Sequence, residues 1–515
     1  MQDHKKFLAI AADRLSHLGR HTSDYALLRR LDMPELSLER VRRLQKHAEQ
    51  DLDADLALKA LEVMCRKLEH SNRPADQRAL ANLRGSDLAA LGLASATYKP
   101  DQPVVPVQGR VLYVLHQSRP YLSNGYATRS HGMATGMLAA GIDLVCLTRP
   151  GFPLDVKKEL TEAPLKDCVG DVTYLRDLTP RRSGPDRSRT YLSDAADVIE
   201  ARIREHRPQA VIVASNYVAA VPALIAARRA GVPIAYEVRG FWEITQASHN
   251  PDLADTFDHL VKMRVEGAAA AAADHVFTLS TPMRDELVRR GVPAGRITLL
   301  PNSCDPTQFT PHPRDMGLVA RIGLPADVPV IGYIGSFVQY EGLDDLARAC
   351  ALLRDQGHVF RLILVGASEG PVHESLVKIA QETGLGDWLI MPGRVPHEEV
   401  EAWYSLIDIA PFPRKPQPVT EMVPPLKPLE AMAMEKAVVV SSVGAMAEMV
   451  EDGVTGLVFE KGNVEALAST LSRLIADKGL RVSLGEKARG YVERERTWQA
   501  MGERVKGWLG DLTPR

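Results

Sequence analysis

The chain lacks most of what would commit a sequence to a secreted scaffold, a membrane span or a nucleic-acid partner. Only 5 of its 515 residues are cysteine, and Cys65, Cys146, Cys168, Cys304 and Cys350 lie far apart without CxxC spacing. That excludes a disulfide framework and a structural zinc site, and it fits a reducing compartment. Charge of one sign is also missing: 63 basic against 65 acidic residues leave a net charge of −2, so no global field draws the chain to nucleic acid or an anionic membrane. Long apolar runs are absent. The most apolar stretch, Val211 to Ala227, is broken by Ser215, Asn216 and Pro222 and then meets Arg228 and Arg229, short of the roughly 18 uninterrupted residues of a spanning helix. The apolar run near the start stops at Asp13, too short for a signal peptide. What is present is globular, with 45% hydrophobic and 25% charged residues, and the length suggests about three or four domains. The expectation is a soluble multidomain protein of the cytoplasm.

Residues 1–98 read as amphipathic helices, with leucines at three- and four-residue steps (Leu27, Leu28, Leu31; Leu52, Leu56, Leu58, Leu61) and few glycines or prolines. Glu39 to Lys46 (ERVRRLQK) forms a basic face, either solvated or touching lipid head groups or an acidic partner. Residues 99–109 (KPDQPVVPVQG) form a Pro-containing linker. From Arg110 short apolar runs alternate with helical stretches: 111–116, 142–148, 210–215, 233–239 and 275–280, then, after the loop PHPRD at 311–315, 330–336, 360–366, 388–393, 407–413 and 437–442. Two such series predict an α/β chain of two Rossmann-like domains, 110–310 and 311–490, facing across a cleft, followed by C-terminal helices over 491–515. The DLDAD run at 51–55 superficially suggests a metal site, but it sits in the helical pattern, and no metal is expected.

Several residue groups suit ligand chemistry. His116 ends the first predicted strand, and Asn124-Gly125 permits positive φ before a helix, letting amides approach a ligand. Glu237 and Arg239 end another strand, either as sugar-side groups or as an intramolecular ion pair. Gly335-Ser336 closes the first strand of the second series before a helix at Leu343, where amides would receive a phosphate. Arg414, Lys415 and Lys427 bring positive charge to a proline-rich loop that drops into a helix near Leu429, with Glu430 in its first turn. Together they suit a diphosphate linked to a sugar.

With FTLSTPMRDELVRRGVPAGRITLLPNSCDPTQF (277–309), IGYIGSFVQYEGLDDLARA (331–349), LILVGASEG (362–370), GRVPHEEVEAWYSLIDIAPFP (393–413) and PLKPLEAMAMEKAVVVSSVGAMAEMVEDGVTGLVFEKGN (425–463), the chain resembles a retaining glycosyltransferase of family 4, with the GT-B fold. The resemblance covers about 110–510 and leaves out 1–98. It implies transfer of a sugar from a nucleotide-sugar donor to a glycan, lipid-linked or protein acceptor, with retained configuration, no cofactor and no metal, a UDP-sugar being favoured over a GDP-sugar. It gives 110–310 the acceptor and 311–490 the donor, with the C-terminal helices returning to the first domain. By resemblance Glu430 holds the ribose, the backbone of Gly393, Arg394 and Val395 cradles the base, Gly335, Ser336 and Gly125 lie near the diphosphate, and Arg239 stands where many relatives carry a histidine near the transferred sugar. His116 and Glu237 fall on the acceptor or sugar side, and Arg239, Lys427 and Glu421 are the catalytic candidates.

Three positions depart from the family pattern. Ser336 and Glu341 stand where relatives often carry an arginine and a lysine, and Glu421 is displaced by one from the usual pairing with Glu430. A buried diphosphate without cations is prohibitively costly, so Lys427, Arg414 and Lys415 are expected to have taken over. The alternatives are a GT-B epimerase or hydrolase and a non-catalytic nucleotide-sugar-binding scaffold in which 1–98 docks a protein or the inner face of the membrane. A dinucleotide-binding dehydrogenase is excluded by the missing GxGxxG spacing over 116–136.

Overall fold

Ser37 opens the first helix among the described residues: its hydroxyl accepts from the Arg40 amide at 3.4 Å, and Val41, Leu44 and Ala48 then recur at helical spacing on a buried face. The computed structural model describes residues 37–512 apart from 70, 72, 85, 101, 183–189 and 326; Leu27, Leu28 and Leu31 lie outside them. Helices Leu38–Gln50, Ala54–Glu69, Pro74–Arg84 and Asp87–Ser95 precede the first strand. On the first, Arg42, Arg43 and Lys46 are exposed, and Arg43 pairs with Glu39 at 2.6 Å one turn away. The DLDAD carboxylates have local work: Asp53 accepts from the Leu56 amide at 3.0 Å, capping the second helix, and Asp55 pairs with Arg264 at 2.6 Å. Helix Asp87–Ser95 packs on helices Tyr217–Ala230 and Phe257–Ala272, where the Tyr217 hydroxyl donates to Asp87 at 2.5 Å.

Two sheets follow. The first contains β1 (Val107–Leu115), β2 (Asp143–Thr148), β3 (Lys166–Val169), β4 (Val172–Leu175), β5 (Pro208–Ala214), β6 (Ile234–Val238), β7 (His275–Thr278) and β8 (Ile297–Leu299), in the order β3-β4-β2-β1-β5-β6-β7-β8. The second contains β9 (Val330–Ile334), β10 (Arg361–Val365), β11 (Leu389–Gly393), β12 (Ile409–Phe412), β13 (Ala437–Ser441) and β14 (Leu457–Phe459), in the order β11-β10-β9-β12-β13-β14. At their centres the strands are parallel: Val213 of β5 lies opposite Val114 of β1 and Tyr236 of β6, and Ile331 of β9 lies opposite Leu362 and Ile409. Strands covered on both faces carry unbroken apolar runs, and all ten expected runs are strands. The sequence reading missed β3, β4, β8 and β14. β3 and β4 pair antiparallel with alternating exposure, and β8 and β14 are only three residues each, too short to stand out as strands.

The described chain divides into two compact units. One holds the residues up to Tyr121 with Val145–Phe277 and Leu287–Ile297; the other holds Leu122–Leu144, Thr278–Glu286 and the residues from Thr298 onward. Within the second unit the C-terminal helix Trp498–Gly510 lies against helix Gly125–Ala139. A Cβ on Gly136 would overlap the Trp498 carbonyl, and one on Gly502 the Gly136 carbonyl, so glycine on both helices permits this close approach. Because β9 to β12 run parallel, the loops that start at Gly335, Gly366, Arg394 and Pro413 leave one edge of the six-stranded sheet, the edge where α/β folds bind ligands. Among the described residues no helix is long and apolar enough to cross a membrane.

Candidate active site

At that edge β9 gives way to Gly335 and Ser336. The Gly335 amide donates to the Val365 carbonyl at 2.9 Å, and Ser336 is exposed. A Cβ at 335 would run into the Lys427 stem, leaving Nζ 2.8 Å away, so a side chain there would have to displace the lysine. Lys427 reaches this position because Pro424 and Pro425 hold the preceding segment out of helix and Pro428 sets the first turn of helix Lys427–Ala433. Glu430 follows one turn later and accepts from the Tyr404 hydroxyl at 3.3 Å. Burial, and then the Glu430 charge, hold that tyrosine well above the usual phenol range. The structure thus brings Lys427 to the glycine loop and places Glu430 one turn further along the same helix.

The other two expected cations carry carboxylate partners. Arg414 is buried, and its guanidinium donates to Glu341 at 2.8 Å and to the Val423 carbonyl at 2.7 Å. Glu341, at the place where the resemblance expects a lysine, is therefore neutralised from inside the fold. Lys415 pairs with Asp344 at 2.7 Å and lies 3.6 Å from Asp345. Those two carboxylates stand in the first turn of helix Leu343–Asp355, beside the amides expected to receive a phosphate. Glu421 is engaged on both oxygens, by Lys461 at 2.5 Å and by the Gly444 amide at 2.8 Å. Among the described residues, Lys427 has no carboxylate partner.

Arg394 is exposed after β11 and Val395 packs against the core of the second unit. Gly125 corrects one expectation: Asn124 has φ −71°, its side chain caps the helix through the Ala127 amide at 3.1 Å, and Gly125 has no positive φ, so this turn needs no left-handed residue. The sequence reading missed Arg129 on the same helix. Its guanidinium donates to the Leu300 carbonyl at 2.7 Å, the Pro301 carbonyl at 3.1 Å and Asn302 Oδ1 at 3.0 Å. Asn302 in turn donates to the Pro424 carbonyl at 2.8 Å. Asn302 stood inside a quoted motif, but nothing in its spacing pointed to Arg129.

In the first unit, strand ends carry His116, Arg149, Arg176 and Glu237-Val-Arg239. Arg239 and Glu237 form a buried ion pair at 2.7 Å, and the Tyr113 hydroxyl donates to Glu237 at 2.6 Å. Arg149 pairs with Asp155 and Arg176 with Asp167, the latter at 2.6 Å. His116 is buried with its ring edge-on to Trp242 at 5.3 Å. Burial, then Arg149, Arg182 and Arg239, push its pKa well below the ordinary value, so the imidazole is neutral at neutral pH.

Two family profiles match the chain, the glycosyl transferase 4-like domain over residues 124–303 and glycosyl transferases group 1 over 318–491, together well over half its length. The chain belongs to the group 1 glycosyltransferases. Curated relatives of this glycosyltransferase include alpha-D-kanosaminyltransferase of Streptomyces kanamyceticus, 26% identical over 54% of this chain and 70% of the relative. The GDP-mannose-dependent alpha-(1-6)-phosphatidylinositol monomannoside mannosyltransferase of Mycobacterium tuberculosis is 26% identical over 47% and 63%. The D-inositol 3-phosphate glycosyltransferase of Xylanimonas cellulosilytica is 27% identical over 52% and 64%. The chain thus spans about two thirds of the length of the curated relatives it matches. Among solved structures, sucrose-phosphate synthase from Thermosynechococcus elongatus aligns with TM-score 0.60 at 21% identity, over 78% of this chain and 98% of its own. Anabaena Alr3699/HepE in complex with UDP aligns with TM-score 0.60 at 17% identity, over 78% and 100%. These likenesses give the glycosyltransferase its GT-B fold, two Rossmann-like domains with a helical region before them.

Proposed function

We propose that this glycosyltransferase moves a sugar from a nucleotide-sugar donor to a hydroxyl of a glycan, lipid-linked or protein acceptor, with retained anomeric configuration and no metal. Lys427 carries the reading. Its stem lies across Gly335, Glu430 follows one turn later, and no carboxylate among the described residues neutralises it. A departing diphosphate gathers negative charge, and a cation preplaced on it stabilises the transition state more than the ground state. In the transfer step the acceptor hydroxyl oxygen bonds to the anomeric carbon as the bond from that carbon to the phosphate oxygen breaks. The hydroxyl proton passes to the departing phosphate oxygen, and the nucleoside diphosphate leaves from the same face of the sugar. Glu430 is assigned the ribose hydroxyls, the backbone at Gly393, Arg394 and Val395 the base, and Gly335 and Ser336 the underside of the diphosphate.

A UDP-sugar is placed ahead of a GDP-sugar. The HepE neighbour is solved with UDP and with UDP-glucose, whereas the mycobacterial relative is named for GDP-mannose. On the first unit His116 and the Glu237–Arg239 pair are assigned to the acceptor or transferred sugar, His116 as an uncharged hydrogen-bonding group. A thermal-shift screen of UDP-, GDP-, ADP- and CMP-sugars in EDTA tests the donor reading, since a ligand at 100 Kd adds about 2.7 kcal/mol to the native state. The expected result is a shift for UDP-sugars that disappears in Glu430→Ala and Lys427→Ala. No shift with any nucleotide sugar overturns the donor reading.

A further inference from the structure

The segment that delivers Lys427 begins with two prolines, which offer no amide hydrogen for anchoring it. At those two residues an anchor must act on a carbonyl. The Pro424 carbonyl, three residues before Lys427, accepts from Asn302 Nδ2 at 2.8 Å. Asn302 is itself 6% exposed, and its other amide atom, Oδ1, accepts from Arg129 at 3.0 Å. Arg129 is held from three sides: by the Leu300 and Pro301 carbonyls, by its own helix, and by the Trp498 ring 5.9 Å from its guanidinium carbon. Both halves of the Asn302 amide are thus spent, one on a fixed guanidinium and one on the Lys427 segment. A second anchor lies beyond Lys427, where the Cys304 thiol reaches the Leu429 carbonyl at 3.5 Å.

We propose that Asn302 is a positioning residue for the donor site: by bridging Arg129 to the Pro424 carbonyl it fixes Lys427 over Gly335 and so sets nucleotide diphosphate affinity. The inference rests on the assignment of Lys427 to the diphosphate and extends it to residues that touch no substrate. Asparagine is the side chain the bridge requires, because it offers an acceptor and a donor at the two ends of one planar group. Aspartate has no donor for the carbonyl, and serine is too short to reach both partners.

A double-mutant cycle separates this role from simple support of the fold, because residues that act through one another are not additive. UDP and GDP are titrated calorimetrically in EDTA against the full chain, Asn302→Ala, Lys427→Ala and the double variant, with a melting curve for each. The tighter of the two nucleotides is expected to bind about tenfold more weakly to Asn302→Ala, and Asn302→Ala is expected to cost less than about twofold further once Lys427 is alanine. Arg129→Lys, which keeps the charge but loses the fork, is expected to weaken binding in the same direction and serves should Asn302→Ala not fold. Full additivity in the double variant, or unchanged affinity in Asn302→Ala, overturns the positioning role while leaving the donor reading intact. Unchanged affinity in Lys427→Ala overturns both.

Discussion

The two units treat their cations differently. At the strand ends of the first, Arg149, Arg176 and Arg239 are each closed on a carboxylate, Asp155, Asp167 and Glu237. In the second, Arg414 is closed in the same way on Glu341, and the partly exposed Lys415 pairs with Asp344, whereas Lys427 has no carboxylate partner among the described residues. A buried ion pair gains little net stability over apolar packing, yet breaking one is costly. Sealed pairs therefore build the frame of a site, and a cation held open beside a backbone loop is available to a ligand. Charge counted from the sequence makes Arg414, Lys415 and Lys427 look equivalent; their partners show that they are not.

The comparison predicts two kinds of failure. Glu341→Ala strands Arg414 in the interior and should cost about 3–5 kcal/mol of stability, read as a lower urea midpoint; an unchanged midpoint would mean that the pair is not part of the frame. Lys427→Ala should do the reverse, leaving the melting temperature within a degree or so while lowering kcat by roughly 10²–10³, the loss typical of one transition-state charge partner. Gly335→Ala drives a Cβ into the Lys427 stem and should weaken UDP binding about tenfold with little change in stability, a shift of about 1.4 kcal/mol in binding.

A smaller effect belongs to the first unit. Glu266 is buried, accepting from the Tyr217 amide at 2.9 Å and the Tyr236 hydroxyl at 2.5 Å. Burial, and then the charge of Glu243, raise its pKa from 4.5 to about 7. The folded state therefore holds this proton more tightly than the unfolded state. The stability it contributes is full below 4.5, declines as pH rises toward about 7, and is absent above that. Glu266→Gln should remove this slope, so the stability of the variant relative to the parent rises between pH 5 and pH 7 and levels off beyond. Parallel urea curves for the two proteins across that range check it, and a constant difference contradicts it.

Much of this was legible in the sequence, for reasons that also explain the gaps. Ten strands announce themselves because a parallel strand covered on both faces is built largely of apolar residues; β3 and β4, whose burial alternates, do not. Lys427 and Glu430 were readable because prolines on either side of one short segment fix where both must point. Pairings across the fold were not: nothing near Arg414 in the chain announces Glu341, and nothing near Asn302 announces Arg129. The Asn124-Gly125 dipeptide permits positive φ, but the turn does not use it: the asparagine side chain caps the helix instead.

The account turns on Lys427 being the cation that meets the donor diphosphate while its neighbours carry carboxylate partners. Calorimetric titration of UDP in EDTA into the full chain, Lys427→Ala and Lys415→Ala tests this most directly. The prediction is a loss of about tenfold or more in affinity for Lys427→Ala and less than about twofold for Lys415→Ala. Equal losses in both variants, or a loss only in Lys415→Ala, would contradict it.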